Sequence, residues 1–136
     1  MIEICDSSAI LAFLKAEPGY EKVKKLFEDA CEQKFTVFIH QINYVEVLKK
    51  LLQYYGETHT KKTIASLVQP FFGVSNLLNE EMAMYINQFL KHPGVSVADG
   101  VGLSFAKVME GRFWTADRAL KDIAKKGNVQ LVLIRN

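Results

Sequence analysis

Apolar runs that do not alternate with polar residues constrain this chain more than any other feature. Phe35-Thr36-Val37-Phe38-Ile39 is rich in β-formers yet lacks the in–out pattern of a strand with one wet face. Ile2-Glu3-Ile4-Cys5 and Val129 to Ile134 are further short apolar runs. Such runs suit strands covered on both faces. Amphipathic stretches with helical spacing separate them, as the helices of a parallel sheet must. The sequence therefore predicts an α/β fold, a three-layer α/β/α sandwich around a parallel sheet, in one domain spanning residues 1–136.

The element order follows from local signals. Ile2 to Cys5 is a strand, and Ser7 opens a helix running through Ala9 to Leu14. After Pro18-Gly19, Val23, Leu26, Phe27 and Ala30 recur at helical spacing between Glu21 and Glu32. Phe35 to Ile39 is the second strand. Ile42 to Tyr55 is an amphipathic helix ended by Gly56, and Thr58 to Val68 a further helix stopped at Pro70. A short strand is expected around Val74 to Asn76. Asn79 caps a helix from Glu80 to Leu90 whose first turn carries two acids, as the helix dipole prefers. Beyond Pro93-Gly94 come the helix Val97 to Met109, the strand Arg112 to Thr115, the helix Arg118 to Lys125 and the strand Val129 to Ile134.

Bulk properties exclude several classes. No apolar stretch approaches the roughly 20 residues that cross a bilayer, and no secretion-like leader opens the sequence. No membrane association and a cytoplasmic location are expected. Cys5 and Cys31 read as free thiols. His40, His59 and His92 lack zinc-ligand spacing. The net charge is only +2, so nucleic acid binding is permitted without being demanded. The lysines come in pairs, at 24–25, 49–50, 61–62 and 125–126. Each pair suits a solvated helix face, and together they could rim an acidic centre and hold phosphates.

Four carboxylates stand at or near places where the chain changes direction: Asp6, Glu46, Asp99 and Asp117. Asp6 and Asp117 fall at or just past strand carboxyl ends, where open α/β sheets bind ligands. Each acid also has a purely structural explanation. Asp6 and Asp117 suit the starts of the helices that follow them, and Asp99 completes a capping box with Ser96. Glu46 lies on a polar helix face with Asn43, Lys50 and Gln53, and can pair with Lys50 four residues on. Their conjunction argues for more. Two unpaired carboxylates about 5 Å apart repel by roughly 3 kcal/mol at an effective dielectric near 20. A cleft holding four must take up protons or cations. An all-oxygen donor set suits Mg²⁺ or Mn²⁺, and such an ion can activate water against a phosphodiester. Ser7, Ser8 and Thr115 neighbour the acids and can orient ligands from outside.

These residues resemble the PIN-domain family, and within it the VapC-type toxin endoribonucleases. Ile4-Cys5-Asp6-Ser7-Ser8-Ala9-Ile10-Leu11 is similar to that family's strand–acid–helix opening. Ile42-Asn43-Tyr44-Val45-Glu46-Val47-Leu48 resembles its second acidic motif. Gly94-Val95-Ser96-Val97-Ala98-Asp99 is similar to the third, and Trp114-Thr115-Ala116-Asp117-Arg118-Ala119-Leu120 to the fourth. Val129 to Ile134 looks like its closing strand.

The resemblance implies that Asp6, Glu46, Asp99 and Asp117 bind Mg²⁺ or Mn²⁺, with Thr115 assisting. It implies an RNA substrate, an antitoxin protein as partner and a homodimer. Gly100 stands where the family often has alanine, which leaves that helix start looser. Residues 58–79 carry no distinctive match. A receiver domain fits poorly because Cys5, not a second acid, precedes Asp6. A haloacid-dehalogenase-type phosphatase would need an acid where Ser8 stands. The remaining alternative is a PIN-like scaffold that binds RNA or protein without cutting.

Overall fold

The computed structural model describes residues 1–135. Five strands form one parallel sheet: β1 (Ile2–Cys5), β2 (Thr36–His40), β3 (Gly73–Ser75), β4 (Arg112–Thr115) and β5 (Gln130–Leu133). Their order is β3-β2-β1-β4-β5. The chain builds outward from β1 in one direction through β2 and β3, then crosses to the other side of β1 to add β4 and β5. That reversal makes the carboxyl ends of β1 and β4 the switch point of the sheet, where neighbouring connections leave in opposite directions and open a crevice.

Six helices form the two outer layers: α1 (Ser7–Leu14), α2 (Tyr20–Cys31), α3 (Gln41–Leu67), α4 (Glu80–Phe89), α5 (Val97–Val108) and α6 (Leu120–Lys126). One core packs Ala9, Ile10, Phe27, Val47 and Leu51 of α1 to α3 against Cys5, Ile39 and Trp114. The other packs Met82, Phe89, Leu103, Phe105 and Leu120 of α4 to α6 against Ile4 and Phe113. Neighbouring residues on each strand thus serve opposite cores, as a period of two requires. This is the expected α/β/α sandwich. Among the described residues no helix is long and apolar enough to cross a membrane, and both cysteines are free.

Some expectations are refined. The expected helices at 42–55 and 58–68 are the two halves of α3, separated as expected at Gly56, whose φ of 76° and ψ of 174° lie outside the helical region. The closing strand lies at the sheet edge, so its three apolar residues are only half-buried. The inner strands have the double cover that continuous apolar runs foretell.

Glu3 breaks the apolar run of β1, and its side chain is fully buried. Arg112, its register partner on β4, grips the carboxylate through both Nε and a terminal nitrogen. The Trp114 indole N–H donates to the same carboxylate at 3.0 Å. A buried charge with a bidentate arginine and a third donor is satisfied, whereas either ion alone would be strongly unfavourable. The β1–β4 pairing on which the switch point depends is thereby clamped from inside.

Two glycines of α5 test the packing in opposite directions. A β-carbon at Gly100 would meet Leu90 at 3.4 Å, an ordinary contact. At Gly102 it would strike the Phe113 ring at 2.7 Å and crowd the Asn43 amide at 3.1 Å. Gly100→Ala is expected to raise stability in chemical denaturation by about 0.5–1 kcal/mol through helix propensity. Gly102→Ala should lower it by about 1–3 kcal/mol through overpacking.

Candidate functional site

Asp6 directly follows β1 and is only 4% exposed. Its carboxylate is the N-cap of α1, accepting from the Ala9 N–H at 3.0 Å. The Ser8 hydroxyl donates to the same oxygen at 2.6 Å, and the Thr115 hydroxyl donates to the other at 2.5 Å. Both hydroxyls also accept from the β4 end, Ser8 from the Ala116 N–H at 2.9 Å and Thr115 from the Asp117 N–H at 3.0 Å. The Asp6 N–H in turn donates to the Trp114 carbonyl. Each strand end is thus tied to the other through one carboxylate. Capping does not exhaust Asp6, because an ionised carboxylate offers about four lone-pair sites.

Asp99 sits in the first turn of α5, half-buried, and forms the expected capping box with Ser96. The Ser96 hydroxyl accepts from the Asp99 N–H at 3.0 Å, and Asp99 Oδ2 accepts from the Ser96 N–H at 3.3 Å. Its other oxygen makes no hydrogen bond within the described residues. Glu46 lies in the second turn of α3. Among the described residues it forms no ion pair with Lys50; the four-residue pairs that form are Lys25–Asp29 and Glu57–Lys61. The polar face assigned to it is also divided. Asn43 is buried and reaches across to the Ala98 carbonyl at 3.4 Å. Sequence spacing could not separate a polar residue that bridges helices from one that faces water.

The Asn43–Ala98 bond brings the start of α3 against the start of α5, and so Glu46 towards Asp99. His40, the N-cap of α3, accepts from the Ile42 N–H through Nδ1 and donates through Nε2 to the Leu77 carbonyl at 2.8 Å. This neutral tautomer fits a ring whose pKa is lowered by burial. His40 and Asn43 therefore position the second acid, although neither carried a recognisable signal in the sequence. Asp117 is exposed, and its Oδ1 accepts from the Ala119 N–H at 2.9 Å, two residues on. It shapes the turn before α6 and does not cap that helix, which has no side-chain cap. Its link to Asp6 runs through Thr115.

The acids feel one another. Burial pushes the Asp6 carboxyl up from 3.8 to about 6 against the pull of its hydrogen bonds, with Asp99 adding a smaller upward push. Partial desolvation also raises Glu46, Asp99 raises it further, and the nearby Ser7 hydroxyl, Lys49 and Lys50 oppose the rise. Among the described residues none of the four acids joins a salt bridge. Neither do three histidine, cysteine or acidic side chains draw close enough to hold a metal by themselves. Uncompensated negative charge with free carboxylate lone pairs fits Mg²⁺ or Mn²⁺, since Mg²⁺ keeps several waters and needs few protein ligands. Asp6, Glu46, Asp99 and Asp117 are the residues that could hold it.

The protonated Asp6 carboxyl contributes stability below its unfolded pKa of 3.8, and this is lost as pH rises through its folded value of about 6. Above that, its ionised form costs about 3 kcal/mol. In EDTA, Asp6→Asn is expected to melt higher than the unmodified protein at pH 7, with the gap closing towards pH 4. Thermal melts across that range decide it. A variant that melts lower throughout would make Asp6 chiefly a helix cap.

The profile of the PIN domain family matches residues 4–126. VapBC-1 from nontypeable Haemophilus influenzae shares the fold over 98% of both chains, with 16% identity and a TM-score of 0.73. VapBC2 from Rickettsia felis, solved with a DNA fragment from its promoter, matches over 98% of both chains with 14% identity and a TM-score of 0.74. A toxin–antitoxin complex from Klebsiella pneumoniae also matches over 98% of both chains, at 16% identity and a TM-score of 0.65. No curated protein sequence matches significantly. The family profile runs from within β1 through α6 and takes in all four acids of the edge just described, and the chain belongs to the PIN domain family.

Proposed function

We propose that this chain is a metal-dependent endoribonuclease acting as the toxin of a toxin–antitoxin pair, with Asp6, Glu46, Asp99 and Asp117 as its metal-binding acids. The observation that carries the reading is the buried, unpaired Asp6 carboxylate at the switch point, within the field of Asp99. A structural cap would be served as well by serine or asparagine, without the cost of burying charge.

A bound divalent ion supplies the Lewis acidity that activates water and stabilises charge on the departing ribose oxygen. The chain's own residues prepare the place. Thr115 and Ser8 fix both Asp6 oxygens, so that carboxylate is presented in one orientation. Asp99 and Glu46 supply further negative charge from two other helices. Lys49 and Lys50, beside Glu46, provide cations for the flanking phosphates. With water as nucleophile, the products carry a 5′-phosphate and a 3′-hydroxyl.

A small toxin of this kind acts in the cytoplasm under an antitoxin's restraint, commonly as a homodimer. The apolar hollow between the two halves of α3, lined by Tyr44, Leu48, Leu52, Ile64 and Ala65, offers a surface that a protein partner would cover. The VapBC and toxin–antitoxin descriptions of the structural relatives support the pairing.

Purified protein incubated with total RNA should cut it in Mg²⁺ or Mn²⁺ and leave it intact in EDTA. Asp6→Asn should reduce cleavage more than about 100-fold, and Thr115→Val by about 10–100-fold, as for groups that orient a ligand. Mn²⁺ should raise the melting temperature of the unmodified protein but not of Asp6→Asn. Product ends bearing 2′,3′-cyclic phosphate would exclude water as nucleophile. Absence of cleavage with any metal, after removal of any bound inhibitor, would leave the non-cutting scaffold.

A further inference from the structure

Helices α1 and α3 both start at the carboxyl edge of the sheet and run away from it side by side. Ser7 at the head of α1 stands beside Glu46. Eight residues further along each helix, the Lys15 ammonium lies 4.1 Å from the centre of the Tyr54 ring. At 1.5 Å per residue, the second pair lies about 12 Å along the helices from the acids. Glu46, Lys50 and Tyr54 follow one another at four-residue steps, which places them in a single row on α3.

Tyr54 is 61% exposed, an unusual placement for an aromatic side chain on a helix. Lys15 holds the ring by a cation–π contact and Tyr55 lies beside it at 6.4 Å between ring centres, while most of the side chain is open to solvent. Cations stand close by, Lys15 over the ring itself and Lys50 one helical turn before it. Glu17 is 3.9 Å from Lys15 and partly offsets it, and Glu57, three residues beyond Tyr54, is paired with Lys61. An exposed aromatic ring set among cations suits single-stranded nucleic acid, because every base has a face to stack and every nucleotide a phosphate to neutralise. A hydrophobic protein contact would not call for the lysines.

Building on the nuclease reading, we propose that Tyr54 is a stacking platform for a base of the single-stranded RNA substrate, with Lys15 orienting the ring and Lys50 holding the intervening phosphate. The base lies about three to four stacked nucleotides from the scissile bond at ~3.4 Å each, or fewer where the strand is extended. Tyr54 is thus a positioning residue. It makes the cut depend on how much single strand extends past it, and it favours unpaired loops and ends over duplex.

The test measures binding of fluorescent single-stranded RNA of random sequence in EDTA, and cleavage of the same RNA in Mn²⁺, at fixed salt. Tyr54→Ala should weaken binding about 5- to 150-fold, the usual cost of losing one stacked base. The loss should fall on KM more than on kcat. Tyr54→Phe should restore binding, since the ring and not the hydroxyl does the stacking. Lys15→Gln should weaken binding less and flatten its salt dependence. Tyr54→Ala matching the unmodified protein in binding and cleavage would overturn the stacking role and leave the nuclease intact. Unchanged RNA binding with an altered sedimentation profile would also overturn it, by making the patch a protein interface. If the unmodified protein neither binds nor cuts RNA, both readings fall together.

Discussion

One carboxylate governs the architecture of this protein. Asp6 ends β1, caps α1 and accepts the hydroxyl of Thr115 at the end of β4. It is tolerated in the interior because three donors surround it, yet burial still holds its pKa near 6. The hydrogen bonds that settle the fold do not remove its demand for positive charge. Burying this carboxyl costs stability that a serine or asparagine cap would not. The parallel sheet makes this possible, because only at a topological switch point do two adjacent strand ends deliver side chains into one open crevice.

Asp99 and Glu46 reach that crevice by a different principle. Neither is on the sheet. Each is carried in the first turns of a helix, and the approach of α3 to α5 sets their spacing. Asn43 bridges to Ala98, and Gly102 supplies the missing side chain that lets Phe113 and Asn43 pack so close. In such an arrangement the spacing of the two acids is set by helix packing and not by the register of the strands.

Much of this was legible in the sequence, for identifiable reasons. Ile2–Cys5 and Arg112–Thr115 form where expected because inner strands leave dense apolar signals bounded by turn residues. Ser96 and Asp99 announced a helix start by their three-residue spacing, and the start is there. The sequence could single out four acids as candidates, but not how they are arranged. Helical periodicity placed Asn43 with the solvent-facing residues because a polar side chain that bridges two helices looks the same as one that meets water. Glu3 passed as one residue in an apolar run, since its partner Arg112 lies 109 positions away. The bonds through Ser8 and Thr115 join residues more than a hundred positions apart. Long-range pairings of this kind leave no local trace.

The clamp on Glu3 has a spectroscopic consequence. Trp114 is the only tryptophan in the chain, it is almost fully buried, and its indole N–H is committed to a charged carboxylate. It also stands next to Thr115, whose hydroxyl holds Asp6. Indole emission is sensitive to nearby charge and to water, so the molecule carries a single intrinsic optical reporter set in the seam between β1 and β4. Any event that loosens that seam, the first stage of unfolding included, has a chromophore beside it and needs no added label.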